Sequence, residues 1–305
     1  MLTWNEFAKA DTQAWKEKAT ADSKGKFIVE DLVYNVEDDF IVDAFTTSSF
    51  SHIPITGIHT QSGMYVDTID KSASALNKSI LQHLQSGVDS LILVVHEDAD
   101  LHTLLAGIYP DALSITLITD MHIPVLENKV KNYIQEVYPD KASQIHISVQ
   151  KRLLLSQDLK FSQRLSSYCD FLNHTNVHEK LALDLTLKQD FLAQIAELRA
   201  YRILWNRSGR PSEHLRIVSS PHYGTNQDIH PMIVVNYQMM SAILGNSDVA
   251  AIPMVSDSEH VRLSLNLMHI FKEECRLGVV QDPVAGAYLP EILTEKMVEF
   301  CSSIQ

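Results

Sequence analysis

Two Asp-x-His triplets in this sequence invite comparison with a motif that binds the cobalt of cobalamin. Asp120 and His122 form one triplet, and Asp228 and His230 form the other. In a motif of this kind the imidazole ligates cobalt, the carboxylate orients it, and a glycine follows three residues after the histidine. Both triplets have an apolar residue at that position, and a proline follows each histidine within two residues. We therefore predict a helix start or a turn at both places.

The other signatures of catalysis are incomplete or absent. His174 and His178 are four residues apart and could face one ion from a helix, but no third ligand can be placed beside them. Solvated or cap-region histidines are the favoured interpretation. The sequence contains no GxGxxG, GxxxxGK, HExxH or GxSxG. It therefore predicts no phosphate-binding loop, zinc peptidase or serine hydrolase.

Charge and cysteine content narrow the possible partners. The 25 basic and 38 acidic residues give a formal charge of −13, which repels nucleic acid and anionic membranes. Cys169, Cys275 and Cys301 are far apart and form no CxxC pair, as expected of reduced thiols. The N-terminus lacks the apolar core of a signal peptide, and no apolar run reaches about 18 residues. We therefore predict a soluble, cytoplasmic protein that binds neither nucleic acid nor membrane.

The elements that must position any site alternate between strand and helix. Short apolar runs typical of buried parallel strands occur at Leu91–Val95, Ile115–Thr119, Ile145–Val149, Leu215–Ser219 and Val249–Val255. Apolar residues at helical spacing occur at Ser72–Gln85, Pro124–Tyr138, Val177–Trp205, Pro231–Leu244, Asp257–Arg276 and Leu289–Cys301. No Pro/Gly/Ser-rich linker interrupts the 305-residue chain. The pattern predicts an α/β fold and favours one (β/α) barrel over two domains.

An aromatic stripe precedes these units. Trp4, Phe7 and Trp15 follow the spacing of one helical face, which predicts an amphipathic N-terminal helix. Such a helix packs either on its own chain or on a partner subunit, and aromatic residues do not decide between the two.

Four segments in the second half carry a resemblance to a known family. They are SSYCDFLNHTNVHEKLALDL (Ser166–Leu185), IAELRAYRILWNR (Ile195–Arg207), IHPMIVVNYQMMSAILGNSDVAAIPMVSDSE (Ile229–Glu259) and VVQDPVAGAYLPEILTEKM (Val279–Met297). From Tyr168 onward their order and spacing resemble the barrel domain of the methylmalonyl-CoA mutase family, which uses adenosylcobalamin.

The first half is most similar to the small, non-catalytic (beta) subunit of the heterodimeric members of that family. The similar segments are Trp4–Phe7, Lys24–Phe27, Leu32–Thr47, Ser74–Val95 and Leu101–Leu117. The resemblance implies a (β/α)8 TIM barrel that threads acyl-CoA along its axis. It also implies an N-terminal helical arm at residues 1–45 and a barrel at 46–305. The family fold adds a C-terminal cobalamin-binding domain, for which we expect no counterpart in the sequence to Gln305.

The resemblance breaks down at the positions that carry the family's chemistry. Cys169 occupies the position at which the family has a histidine that hydrogen-bonds the thioester carbonyl. Met254 lies near the position of a second histidine of the family. Asn236 replaces an arginine, and Leu172 replaces an acidic residue. Tyr168 remains as a candidate substrate-binding residue. A simpler interpretation of Cys169 is a small buried side chain at the end of a strand, without a reactive role.

These departures favour an inactive member of an isomerase (mutase) family. The leading hypothesis is a structural partner of a catalytic mutase chain, in a heterodimer that interconverts methylmalonyl-CoA and succinyl-CoA in propionate metabolism. Adenosylcobalamin would belong to the complex, with none bound by this chain. A homodimer, a stand-alone barrel that binds acyl-CoA or another small ligand, and an active barrel with its cobalamin domain on a separate chain remain open.

Overall fold

A computed structural model describes residues 11–44, 55, 60–69, 71–96, 98–223, 230–254 and 258–304. Trp4 and Phe7 lie outside the described residues, so the predicted aromatic stripe is described only at its end. Helix α1 (Thr12–Ser23) contains the half-buried Trp15. The helix begins where the Asp11 carboxylate accepts a hydrogen bond from the backbone amide of Ala14, as a good N-cap does.

Seven parallel strands close into a barrel, and a separate hairpin precedes them. The hairpin strands are β1 (Val33–Val36) and β2 (Phe40–Asp43). The barrel strands are β3 (Gln61–Asp67), β4 (Ser90–Val94), β5 (Ser114–Thr119), β6 (Ile147–Leu155), β7 (Leu181–Thr186), β8 (Leu215–Ser220) and β9 (Val249–Pro253). Each strand pairs with the next along the chain, and β9 pairs with β3 to close the ring. The predicted α/β barrel is confirmed.

Helices cover the outside of the barrel. They are α2 (Ala73–Leu84), α3 (Leu101–Leu104), α4 (Ile123–Val137), α5 (Phe161–His174), α6 (Phe191–Arg207), α7 (Pro231–Leu244), α8 (Ser258–His269) and α9 (Tyr288–Ser303). A π-helical turn, Ile270–Glu274, extends α8. None of the helices in the described part of the chain has the length and apolar character needed to cross a membrane.

The structure corrects three details of the predicted architecture. The described residues supply seven barrel strands instead of eight, and the segment after α8 forms turns in which Val279 and Val280 are 63% and 65% exposed. The range Val177–Trp205, predicted as one helix, contains strand β7 before helix α6. The first barrel strand, Gln61–Asp67, does not coincide with any predicted run.

The hairpin is anchored to the barrel by charge and by aromatic packing. The Glu37 carboxylate accepts a hydrogen bond from the backbone amide of Phe161 at 2.6 Å, at the first residue of α5. It also pairs with the Lys188 ammonium at 2.6 Å. The Phe40 ring meets Phe300 on α9 edge to face, with centroids 5.7 Å apart. Because Phe161 and Lys188 follow β6 and β7, the hairpin lies at the rim formed by the carboxyl ends of those strands.

Candidate functional site: the barrel bore

Apolar side chains fill the middle of the bore. Alternate residues of a strand point to opposite faces, so every second barrel residue points inward. The inward residues form a fully buried cluster: Ile92, Val94, Ile118, Ala182, Val218, Val249 and Ala251. A Cβ atom added at Gly63 would lie 2.3 Å from the Val249 side chain, so only glycine fits between them. The centre of the barrel is therefore a packed core.

Above this layer, toward the carboxyl ends of the strands, three polar side chains cross the bore. The Arg152 Nε atom donates to the Asp184 carboxylate at 2.8 Å, and its Nη2 atom donates to the Tyr65 hydroxyl at 2.9 Å. The Tyr65 hydroxyl in turn donates to the same Asp184 oxygen at 2.8 Å. We name Tyr65, Arg152 and Asp184 the bore triad. They link β3, β6 and β7 across the barrel.

The bore triad is buried and electrically almost neutral. The side chains of Arg152 and Asp184 are 12% and 4% exposed. Burial raises the pKa of Asp184, although the Arg152 charge opposes that shift. Burial is the largest single influence on Arg152 and lowers its pKa, but the charge and hydrogen bond of Asp184, with Tyr65 and Asp120, together outweigh burial and raise the Arg152 pKa. Burial and then the charge of Asp184 raise the pKa of Tyr65, so its hydroxyl stays protonated as a donor.

A second polar layer closes the base of the bore, at the amino ends of the strands. The Arg216 Nη2 atom donates to the Gln61 amide oxygen at 2.8 Å, and to the Ser90 and Ser114 hydroxyls at 3.2 Å each. Three strands are thereby tied to β8. Along the barrel axis, the apolar cluster therefore lies between two polar layers.

Two of the predicted site residues, Tyr168 and Cys169, lie within helix α5 and outside the bore. Tyr168 is 0% exposed, and its hydroxyl donates to the backbone oxygen of Tyr201 on α6. Cys169 is 1% exposed in the apolar cluster that also contains Cys301 of α9. The interpretation of Cys169 as a buried small side chain fits this packing, but its predicted place at a strand end is wrong, because it lies in the middle of a helix.

The other two lie apart from each other. Asn236 is on the exposed side of helix α7, whereas Met254 directly follows β9 and its backbone amide donates to the Tyr65 carbonyl at 2.9 Å. Met254 is therefore at the carboxyl rim of the barrel, next to the bore triad. The structure brings none of Cys169, Asn236 and Met254 together.

The predicted helix starts are confirmed. His122 is the N-cap of α4, and His230 is the N-cap of α7, where its ring nitrogen accepts from the backbone amide of Met232. Asp228 lies outside the described residues. His174 and His178 are exposed, and His174 hydrogen-bonds the backbone oxygen of Asp170. Across the described ranges, no three His, Cys, Asp or Glu residues are grouped to hold a metal ion.

These contacts do not fit cobalt ligation. The described hydrogen bonds assign His230 to its own helix terminus, and none joins His122 to Asp120. We therefore derive no chemical step through cobalamin for this chain.

The segments that resemble the mutase family are joined by a buried ion triad. Arg199 of α6 pairs with Asp282, which precedes α9, and with Glu291 of α9 at 3.0 Å. All three side chains are at most 6% exposed. Nearby on α6, Arg202 pairs with Asp248 at 2.9 Å. These charged motif residues hold helices and loops together, and they do not face the bore.

Sequence inspection did not reveal the bore triad. Arg152 and Asp184 are 87 and 119 positions from Tyr65 along the chain, and only the closed barrel brings the three side chains together. One signal was available: Asp184 interrupts the apolar run Leu181–Leu185, and a polar residue in a doubly buried strand needs a partner.

Comparison with known proteins points to one family. The methylmalonyl-CoA mutase family model matches residues 169–304. A methylmalonyl-CoA mutase of Rhizobium meliloti is 29% identical over 145 residues, which cover 42% of this chain and 20% of that protein. The 2-hydroxyisobutanoyl-CoA mutase large subunit of Aquincola tertiaricarbonis is 25% identical over 217 residues, covering 61% of this chain and 36% of that protein. The chain thus spans well under half the length of these relatives.

Solved structures give a much weaker likeness. A dihydropteroate synthase of Coxiella burnetii has a TM-score of 0.37 at 11% identity, covering 80% of this chain and 99% of its own. The enzyme of the same name from Burkholderia cenocepacia has a TM-score of 0.31 at 9% identity, covering 80% and 98%. Likenesses this slight carry no conclusion. The match over residues 169–304 and the two relatives show that the second half of this chain is similar to the methylmalonyl-CoA mutase family.

Proposed function

We propose that this mutase-like chain is a non-catalytic barrel that serves as the structural partner of a catalytic mutase chain. The observation that carries the proposal is the filled bore. An acyl-CoA threaded along the axis would have to displace the bore triad, the apolar layer and the Arg216 layer. Separating a buried ion pair leaves each charge desolvated and without its partner, which is energetically costly.

Two further features support a partner role. A relative whose name includes "large subunit" indicates that mutases of this kind are built from more than one chain. The N-terminal part of this chain also exposes apolar side chains: Phe27 by 40%, Ile28 by 59% and Ile41 by 47%. Apolar residues that stay exposed within one short segment are a feature of interaction surfaces. We place these residues in an arm, 1–45, that contacts the partner, with the barrel at 46–305.

The proposed partner is a catalytic mutase subunit in a cytoplasmic heterodimer. The reaction of the complex would be the isomerisation of methylmalonyl-CoA and succinyl-CoA, with adenosylcobalamin and substrate held by the other chain. In this chain Cys169, Asn236 and Met254 would contribute nothing to the chemistry.

Co-expression with the catalytic mutase chain of the same organism tests the proposal. We expect a 1:1 complex by light scattering, and no binding of methylmalonyl-CoA to the isolated chain by calorimetry. Ile41→Asp, on the exposed face of the hairpin, should weaken the complex. Ala44→Asp is the matched control, because Ala44 is exposed directly after β2 and the substitution adds the same charge while removing only a methyl group of apolar surface.

Three outcomes would contradict it. Failure to form a complex with the catalytic chain removes the partner role. Micromolar binding of methylmalonyl-CoA to the isolated chain favours the acyl-CoA-binding barrel. Turnover by this chain with a cobalamin domain supplied separately favours the split mutase.

A further inference from the structure

A pocket of about 350 Å³ opens beneath the barrel, where the bore meets the loop between α6 and β8. Its lining is mostly polar and includes two arginines: Ser148, Gln150, Arg202, Asn206, Ser212, Glu213, Leu215, Arg216 and Asp248. None of the residues that were singled out from the sequence lines it. We name it the base pocket.

Arg216 is the unusual group in this pocket. Its hydrogen-bond acceptors, Gln61, Ser90 and Ser114, are all neutral. Its Nε atom is buried and has no hydrogen-bond partner. Among the described residues no carboxylate forms an ion pair with it, in contrast to Arg202, which pairs with Asp248. A half-buried guanidinium that forms no ion pair is costly, because it gives up part of its hydration without gaining a direct partner of opposite charge.

The closest candidate to balance Arg216 is already engaged. The Asp248 carboxylate accepts from Arg202 at 2.9 Å and from the backbone amide of Ile217 at 2.6 Å. Burial lowers the pKa of Arg216, and the charge of Asp248 offsets only part of that shift. The other carboxylate in the lining, Glu213, is exposed at the outer rim.

A second buried polar side chain faces the same space. Gln150 lines the base pocket and is 3% exposed, and its Oε1 atom has no hydrogen-bond partner among the described residues. A side-chain amide presents an acceptor and two donors, so its other end can donate to a ligand. The hydroxyls of Ser148 and Ser212 and the Asn206 amide add further donors around the pocket.

We infer that the base pocket binds a small oxyanion of the phosphate class, held by the Arg216 guanidinium with support from Gln150. The planar guanidinium presents parallel N–H groups that match two oxygens of a phosphate, which makes arginine the preferred residue for such anions. The filled bore above the pocket restricts the ligand to the base. This inference does not depend on the proposed partner role, since it concerns the isolated chain.

Titration of the isolated, full-length chain with inorganic phosphate tests the inference. Sodium chloride at matched ionic strength is the reference, and binding is measured by calorimetry and by thermal unfolding. We expect a saturable isotherm and a Tm increase of about 2–4 °C at ten times Kd, because a ligand of the native state stabilises it. Acetate and glycerol 3-phosphate, tested in parallel, show whether charge and pocket size select the free oxyanion.

Variants locate the site. Arg216→Gln should weaken phosphate binding at least tenfold, and Gln150→Leu at least threefold. Arg207→Gln is the matched control, because Arg207 is exposed at the end of α6 and does not line the pocket. A wild-type response to phosphate that chloride reproduces would overturn the inference. So would a wild-type Kd in Arg216→Gln or, if that variant does not fold, in Gln150→Leu.

Discussion

Replacing Arg152 by methionine isolates the energetic role of the bore triad. In the native protein Asp184 is 4% exposed and accepts from both Arg152 and Tyr65. The substitution leaves a buried carboxylate with the Tyr65 hydroxyl as its remaining partner. Breaking a buried ion pair from one side costs about 3–5 kcal/mol. Because Tyr65 still donates, we expect a loss near the lower end, about 3 kcal/mol of unfolding free energy at pH 7.5.

A double variant separates this penalty from the net contribution of the pair. Arg152→Met with Asp184→Leu removes both charges but leaves the Tyr65 hydroxyl without either partner, so we expect a loss of about 1–2 kcal/mol, smaller than that of Arg152→Met alone. The coupling energy from the cycle should then be about 2 kcal/mol or more. The contact between Arg152 and Asp120 at 3.9 Å adds little, since the Asp120 side chain is 69% exposed.

The pH dependence supplies an independent check with a definite sign. Burial already raises the pKa of Asp184, and removal of Arg152 raises it further because the opposing charge is gone. A raised folded-state pKa gives stability that is complete below the unfolded value, about 3.9, and is lost as pH rises through the folded value. The deficit of Arg152→Met relative to wild type should therefore shrink between pH 7.5 and pH 4.5.

Urea unfolding followed by tryptophan fluorescence at both pH values provides the measurement. A deficit below about 1 kcal/mol at pH 7.5, or one that does not change with pH, would refute the assignment of Asp184 as a buried charge held by Arg152.

Three further predictions follow from other parts of the structure. Arg199→Met leaves two buried carboxylates unpaired and should lower the free energy of unfolding in urea by about 3–5 kcal/mol. Arg207→Met, at the exposed end of α6, should change it by less than about 0.5 kcal/mol. Equal effects of the two substitutions would contradict a buried ion triad. Cys169→His should lower the free energy of unfolding by about 1–3 kcal/mol through overpacking. The variant should form no succinyl-CoA in an assay with methylmalonyl-CoA, adenosylcobalamin and a separately supplied cobalamin domain. Turnover by the variant would show that one residue restores activity. Titration of the chain with adenosylcobalamin should leave the visible spectrum unchanged, since His122 and His230 are helix caps, and a spectral change with micromolar affinity would contradict this.

The strands that could be predicted from the sequence differ from the others in the type of residue that points into the bore. Leu91–Val95 and Ile115–Thr119 present apolar residues on both faces, so a continuous run identifies them. Strand β7 carries Asp184 in the middle of its run, and β3 carries Gly63 and polar residues at its ends. When a strand has a charged residue or a glycine at an inward position, its sequence no longer shows the continuous apolar run of a buried strand.

The site could be predicted even less than the fold. The resemblance directed attention to Cys169, which the fold places in the core between helices. Arg199, Asp282 and Glu291 lie within motifs that the sequence did reveal, but their contact depends on the packing of α9 against α6. Local pattern identifies which segments are related, and tertiary packing decides which side chains meet.

Closure of the barrel between β3 and β9 also has a consequence for how the chain folds. The Thr60 hydroxyl meets the Ser247 carbonyl at 2.7 Å across 187 positions, and Tyr34 of the hairpin reaches Asp190 across 156. Contacts of such sequence separation form late, because the entropy of closing a long loop must be overcome first. During synthesis the β3 edge stays unpaired until β9 has left the ribosome. The nascent barrel therefore exposes an unpaired strand edge for most of its translation, and such edges promote the misassembly that chaperones prevent.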